Sequence, residues 1–200
     1  MINDKSDNII AHSEEPGIRH LRAIGRLIVT FNKLDDYVVG LISMLLGTEP
    51  ELGGIIANSW QGRERFEALQ NIFAYRLGFA HKIRSGIDMK KNQKSLQLDE
   101  LFKAMYKAND IRNQVVHSNW SASFTDKTKA HRLKWKRRTF PGWSDFDYEL
   151  EDLSNIESEI KFIKKVSEDL GKFVSENFRD YLRQLAKHLA TTNSKIRDNA

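Results

Sequence analysis

Residues 14–46, "EEPGIRHLRAIGRLIVTFNKLDDYVVGLISMLL", decide the fold class. Ile18, Leu21, Ile24, Leu27, Ile28, Phe31, Leu34, Val38, Leu41, Ile42 and Leu45 recur at three- and four-residue steps, the period of an amphipathic helix. Ser13 can cap it, Pro16 is tolerated in its first turn, and Gly47 followed by Pro50 closes it. Lys33, Asp35 and Asp36 interrupt the apolar run, so it predicts a bundle helix and no membrane partner.

Working outward, the same period predicts a second helix over roughly Ser59–Leu77, with Phe66, Leu69, Ile72, Phe73 and Leu77 on one side and Gly78 after it. A third is expected over about Leu96–Ser118, where Leu98, Leu101, Met105 and Ala108 set a stripe whose next step falls on Arg112 and then Val115. A guanidinium there needs a partner or a water-lined cleft, since leaving it buried and unpaired costs on the order of several kcal/mol. A last helix is read from "SNIESE", where Ser154 and Glu157 form a capping-box pattern, towards Leu189, with Gly171 inside it.

Between the last two helices the period drops to two. His131, Leu133 and Trp135 alternate with Arg132, Lys134 and Lys136, and Phe146, Tyr148 and Leu150 alternate with Asp147, Glu149 and Glu151. Such alternation predicts a half-buried hairpin at about 130–151 turning through "FPGWS", its basic face set against its acidic face.

Two hundred residues at 40% hydrophobic and 30% charged, with three prolines, imply one mainly helical domain over 14–190. Residues 1–13 read as a flexible N-terminus without the features of a secretory signal, and 191–200 as a polar tail. The absence of cysteine excludes disulfides and thiolate metal sites and fits a cytoplasmic location.

The net charge of +5 is unevenly placed: 81–94 holds five Lys/Arg against one Asp, and 127–138 holds seven against none. Clustered basic charge is the footprint of a polyanion binder. The hairpin carries its own acidic complement, so Lys82, Arg84, Lys90, Lys91 and Lys94 of the first cluster are the better candidates for RNA phosphates.

The polar cluster at the end of the third helix, "RNQVVH" over 112–117, is the candidate site. Arginine followed at the fifth position by histidine also occurs at Arg76 and His81 and at Arg183 and His188, so spacing alone decides little. Only Arg112 has an asparagine beside it, intrudes on an apolar stripe and ends a helix that follows a basic loop. His12, His20, His81, His131 and His188 lack the H-E-x-x-H spacing of a zinc site, and neither a P-loop nor a G-x-S-x-G is present.

This stretch resembles the R-N-x-x-x-H signature of HEPN domains. The long first helix with Asp35 in "FNKLDDYV", the second helix after a short break, and Trp120 just past the histidine are also similar. The resemblance covers roughly 14–120 and the last helix. It implies a HEPN-like helical bundle with long antiparallel helices, here carrying one inserted β-hairpin. It further implies a metal-independent endoribonuclease with no cofactor, in toxin–antitoxin or phage-defence roles, and a homodimer whose motif helices meet across the two-fold axis. A cognate antitoxin or regulatory protein would then be a further partner. Other members of that family are catalytically silent interaction modules, which leaves a nucleic-acid-binding or protein-binding module as the alternative.

The residues themselves permit the chemistry. Positions five apart on a helix diverge by about 140° and rise about 7.5 Å, so Arg112 and His117 cannot share a face, whereas Asn113 and His117 can. His117 would move protons as an RNA 2′-hydroxyl attacks the neighbouring phosphorus, Arg112 would brace the phosphate, and Asn113 would orient the imidazole or donate to a phosphate oxygen. The bland reading has His117 as a favourable helix-terminal cation and Arg112 as the ion-pair partner of Asp35 or Asp36.

Overall fold

Period and capping carry the chain through five helices and three strands in a computed structural model that describes residues 17–48, 50–79, 93–123, 129–135 and 146–198. The helices are α1 (Ile18–Leu46), α2 (Pro50–Ser59), α3 (Gly62–Arg76), α4 (Gln93–Val116) and α5 (Leu153–Asp198). The strands are β1 (Asn119–Ala122), β2 (Lys129–Trp135) and β3 (Phe146–Asp152). Residues group into two units, Met1–Phe31 with Asp110–Ile163 and Asn32–Asn109 with Lys164–Ala200.

In the second unit an aromatic cluster forms the core. The Phe73 ring lies 4.8 Å from Phe178, 5.5 Å from Phe173 and 6.0 Å from Phe102, which joins α3, α4 and α5. Phe66 meets Tyr106 further along at 6.3 Å, so α3 and α4 run antiparallel. Tyr181 donates to the Leu45 carbonyl at 3.3 Å, and Tyr37 faces Gly171. The two longest helices therefore run parallel in this unit, where antiparallel packing was expected, because α4 returns the chain before α5 begins. Gly171 does not interrupt α5.

α3 begins with Glu64 accepting the Gln61 N–H at 3.2 Å. It ends in a Schellman motif: Gly78, at φ 75°, donates to Tyr75 O, and Phe79 donates to Ala74 O at 2.7 Å while its ring is buried. α2, which the sequence showed only as a short break, has Pro50 at its start and Glu51 in its first turn. It packs so tightly that a Cβ on Gly53 would lie 2.5 Å from Ser43 Cβ and 2.7 Å from Ser43 Cα. Arg65 fastens this corner by an ion pair with Asp35 and bonds to the carbonyls of Ala57 and Trp60 at 3.2 and 2.9 Å.

The first unit holds the predicted hairpin, enlarged to a three-stranded antiparallel sheet of order β1-β2-β3. Register follows the alternation, with Arg132 opposite Glu149 and Lys134 opposite Asp147, while Ala130 faces Glu151. Lys136 and the turn lie outside the described residues. Arg132 is nearly enclosed and pairs with both Glu149 and Glu151, the latter at 3.2 Å. β1 is an addition to the expected hairpin, pairing Trp120 with Arg132 and Ser121 with His131.

Where α5 begins, the cap differs from the expected Ser154 and Glu157 box. Asp152, the last residue of β3, accepts the Ser154 N–H at 2.8 Å, and Glu157 instead approaches Arg26 at 3.9 Å. α5 continues past Leu189 to Asp198, through residues read from sequence as a polar tail. Among the described residues no helix is long and apolar enough to cross a membrane.

Candidate functional site

The end of α4 is organised by its own last carbonyls. A helix leaves its final C=O groups without intrahelical donors. Here His117 donates its N–H to Asn113 O at 3.0 Å, Ser118 donates its hydroxyl to Gln114 O, and Trp120 donates Nε1–H to Val115 O at 3.0 Å. His117 and Ser118 are the only residues between α4 and β1, and Ser118 is buried while His117 is exposed. Trp120 is held in turn, its ring 5.8 Å from the Arg132 guanidinium. A partly buried side-chain network thus fixes the backbone on which the imidazole stands.

Arg112 lies half-buried beside the stripe, which runs through Ile111 and Val115. Its NH1 donates to Asn113 Oδ1 at 3.0 Å and its guanidinium stands 6.0 Å from the Phe31 ring centre. Its Nε is buried with no hydrogen-bond partner. Arginine has only donors, so the Asn113 amide must turn its oxygen to Arg112 and its NH2 outward. Asn113 therefore positions the guanidinium, and its bond to the histidine runs through its backbone carbonyl. Among the described residues the His117 imidazole makes no hydrogen bond, and no carboxylate pairs with Arg112. Of the two carboxylates considered for it, Asp35 is taken by Arg65 and Asp36 is exposed.

The structure thus joins Arg112 to Asn113 and leaves His117 presented beyond them on the turn. Lys82, Arg84, Lys90 and Lys91 lie outside the described residues. Lys94, read as part of a loop, is exposed on the first turn of α4. The sequence reading missed Ser118 and Arg132 as supports. Alternation did mark Arg132, but as a solvated charge facing acid across the hairpin, and nothing in spacing showed that it would be enclosed.

A separate cleft of about 260 Å³ in the second unit is lined by Glu100, Asp169 and Glu176 around Leu101 and Phe173, with Lys172 as its cation. Its acidic rim does not suit a polyanion. Among the described residues no three His, Asp or Glu side chains gather as a metal site. Compared with protein-family models, with curated proteins and with solved structures, the chain matches none, so the HEPN resemblance stands on the residues just described.

Proposed function

We propose that the chain is a HEPN-type, metal-independent endoribonuclease that works in the cytoplasm as a homodimer, as a toxin or phage-defence effector held in check by an antitoxin or regulatory protein. The supporting observation is the guanidinium of Arg112, braced by Asn113, on the helix that ends at an exposed histidine whose backbone is clamped by Ser118 and Trp120.

RNA supplies its own nucleophile. The 2′-oxygen attacks the adjacent phosphorus, its proton passing to one His117 imidazole, and the bond to the 5′-oxygen breaks as that oxygen takes a proton from the other copy's imidazole. The products are a 2′,3′-cyclic phosphate and a 5′-hydroxyl. Arg112 stabilises the non-bridging oxygens as charge accumulates, and its unsatisfied Nε offers a further donor to a phosphate that draws the side chain outward. Two copies are needed because one helix presents Arg112 and His117 about 140° apart. Lys82, Arg84, Lys90, Lys91 and Lys94 would hold flanking phosphates.

The deciding experiment compares wild type with His117→Ala on single-stranded RNA in EDTA. Cleavage by wild type alone, with the variant folded and still binding RNA, is the expected result, and a 2′-deoxy substitution at the scissile position should resist. Equal cleavage by both, or none by wild type across a broad RNA panel, would leave a catalytically silent binding module as the better reading. Neutralising Lys90, Lys91 and Lys94 should weaken RNA binding more than neutralising Lys134 and Lys136, with Arg132 left in place because it holds Glu149 and Glu151.

A further inference from the structure

Over residues 18–31, the apolar surface of α1 is wider than the fold encloses, running from a buried row through half-buried Ile24 and Ile28 to an exposed one. The first row is enclosed: His20, Ala23, Leu27 and Phe31 are buried, His20 at 2% exposure with its Nε2 lacking a hydrogen-bond partner. The other stands in solvent, with Ile18, Leu21 and Val29 at 64%, 45% and 54% exposure, and a Cβ on Gly25 would meet nothing within 4 Å. At 100° per residue these four positions share an arc of about 80°, and Arg22, Arg26 and Arg19 fill the adjoining arc of about 60°. All three arginines are exposed, and residues 18–31 include no carboxylate. Arg26 approaches Glu157 at 3.9 Å, whereas Arg19 and Arg22 make no ion pair among the described residues. Enclosing an imidazole while exposing an aliphatic row reverses what burial favours within one chain, and contiguous exposed apolar rows mark interaction surfaces.

We propose that this face docks an acidic amphipathic helix of another protein. Apolar anchors of that helix at three- and four-residue spacing would seat along Ile18, Leu21, Gly25 and Val29, with its carboxylates against Arg19 and Arg22. Nucleic acid would cover the arginines and leave the aliphatic row wet, since the row has no aromatic ring for bases to stack on. A bilayer surface calls for a broader apolar face with aromatic anchors. A second copy docking through the same face would bring Arg19 and Arg22 against their own counterparts. The proposal is independent of the nuclease reading, since it uses neither Arg112 nor His117.

The test places a photo-crosslinking benzoylphenylalanine at Leu21 or Val29 of the full chain in its native cells, with the exposed Lys103 position of α4 as control. Adducts from 21 and 29 and not from 103 are expected, joining to a peptide of net negative charge with helically spaced apolar residues. A synthetic copy of that peptide should bind the purified chain at least tenfold more weakly after Leu21→Ser or after Arg19→Glu with Arg22→Glu, the melting curves being unchanged. An adduct to nucleic acid, lipid or another copy of the chain overturns the proposal. So does a peptide without net negative charge, an adduct yield no greater than at 103, or binding indifferent to those substitutions.

Discussion

Replacing Trp120 by 3-benzothienylalanine, which keeps the bicyclic shape but has no N–H, isolates the bond from the indole to Val115 O. That bond is 3.0 Å long and partly buried, and such bonds contribute about 0.5–1.5 kcal/mol net. Since about 1.4 kcal/mol is tenfold in an equilibrium constant, local opening of the last turn should rise by up to about tenfold. Amide hydrogen exchange reads this directly. The His117 N–H, which donates to Asn113 O, should lose up to about tenfold in protection, while amides at Leu101–Met105 in the middle of α4 keep theirs. Under the proposed nuclease reading, turnover should also fall with little change in RNA affinity. Unchanged protection at His117 would refute the clamp. A uniform loss along α4 would show that the indole merely supports overall stability.

Three further outcomes follow from the geometry. Gly53→Ala should destabilise by roughly 1–3 kcal/mol by driving a Cβ into the Ser43 backbone, whereas Gly54→Ala, with nothing within 4 Å, should stabilise by up to about 1 kcal/mol; paired denaturant melts check the opposite signs. Arg132→Met should cost about 3–5 kcal/mol by stranding the nearly enclosed Glu151 beside Glu149, and adding Glu151→Gln should restore part of that loss in a double-mutant cycle. Burial raises the Tyr37 phenol above its ordinary 10.0, so its contribution is fully present below pH 10 and lost as the pH climbs through the raised value; Tyr37→Phe should flatten the alkaline limb of the stability curve followed by circular dichroism.

What could be read from sequence was whatever repeats. Alternation in two seven-residue strands set the hairpin and its basic and acidic faces, because a one-residue slip would turn every side chain over, but a two-residue slip keeps both faces, so the pairing of Arg132 with Glu149 is seen only in the structure. Four residues, "NWSA", are too few for any period, so β1 was invisible. In α1 the period was right and the face was partly wrong. Ile18 and Leu21 outweigh His20 and Ala23 in hydrophobicity, yet the smaller pair is enclosed, since the choice of face is made by neighbours distant in sequence. α2 has two glycines in ten residues and weak helix propensity, and packing against Ser43 makes it a helix. At the candidate site the residues were legible and their wiring was not. Asn113 looked like the partner of His117 by its four-residue spacing, but its neighbour Arg112 takes its side-chain oxygen.

The two-residue junction at His117 and Ser118 has a consequence for how the chain tolerates change. The imidazole is located from two directions at once, by the last turn of α4 and by the pairing of Trp120 with Arg132. A residue inserted at the junction could keep the helix end or the strand register, but not both. Lengthening elsewhere in the sheet is harmless only where it leaves that pairing alone. Relatives that retain the arginine and histidine should therefore vary freely in the loops on either side of β2 while holding the interval from Val115 to Trp120 fixed, and a change in that interval would be an early sign that the histidine has been released from its task.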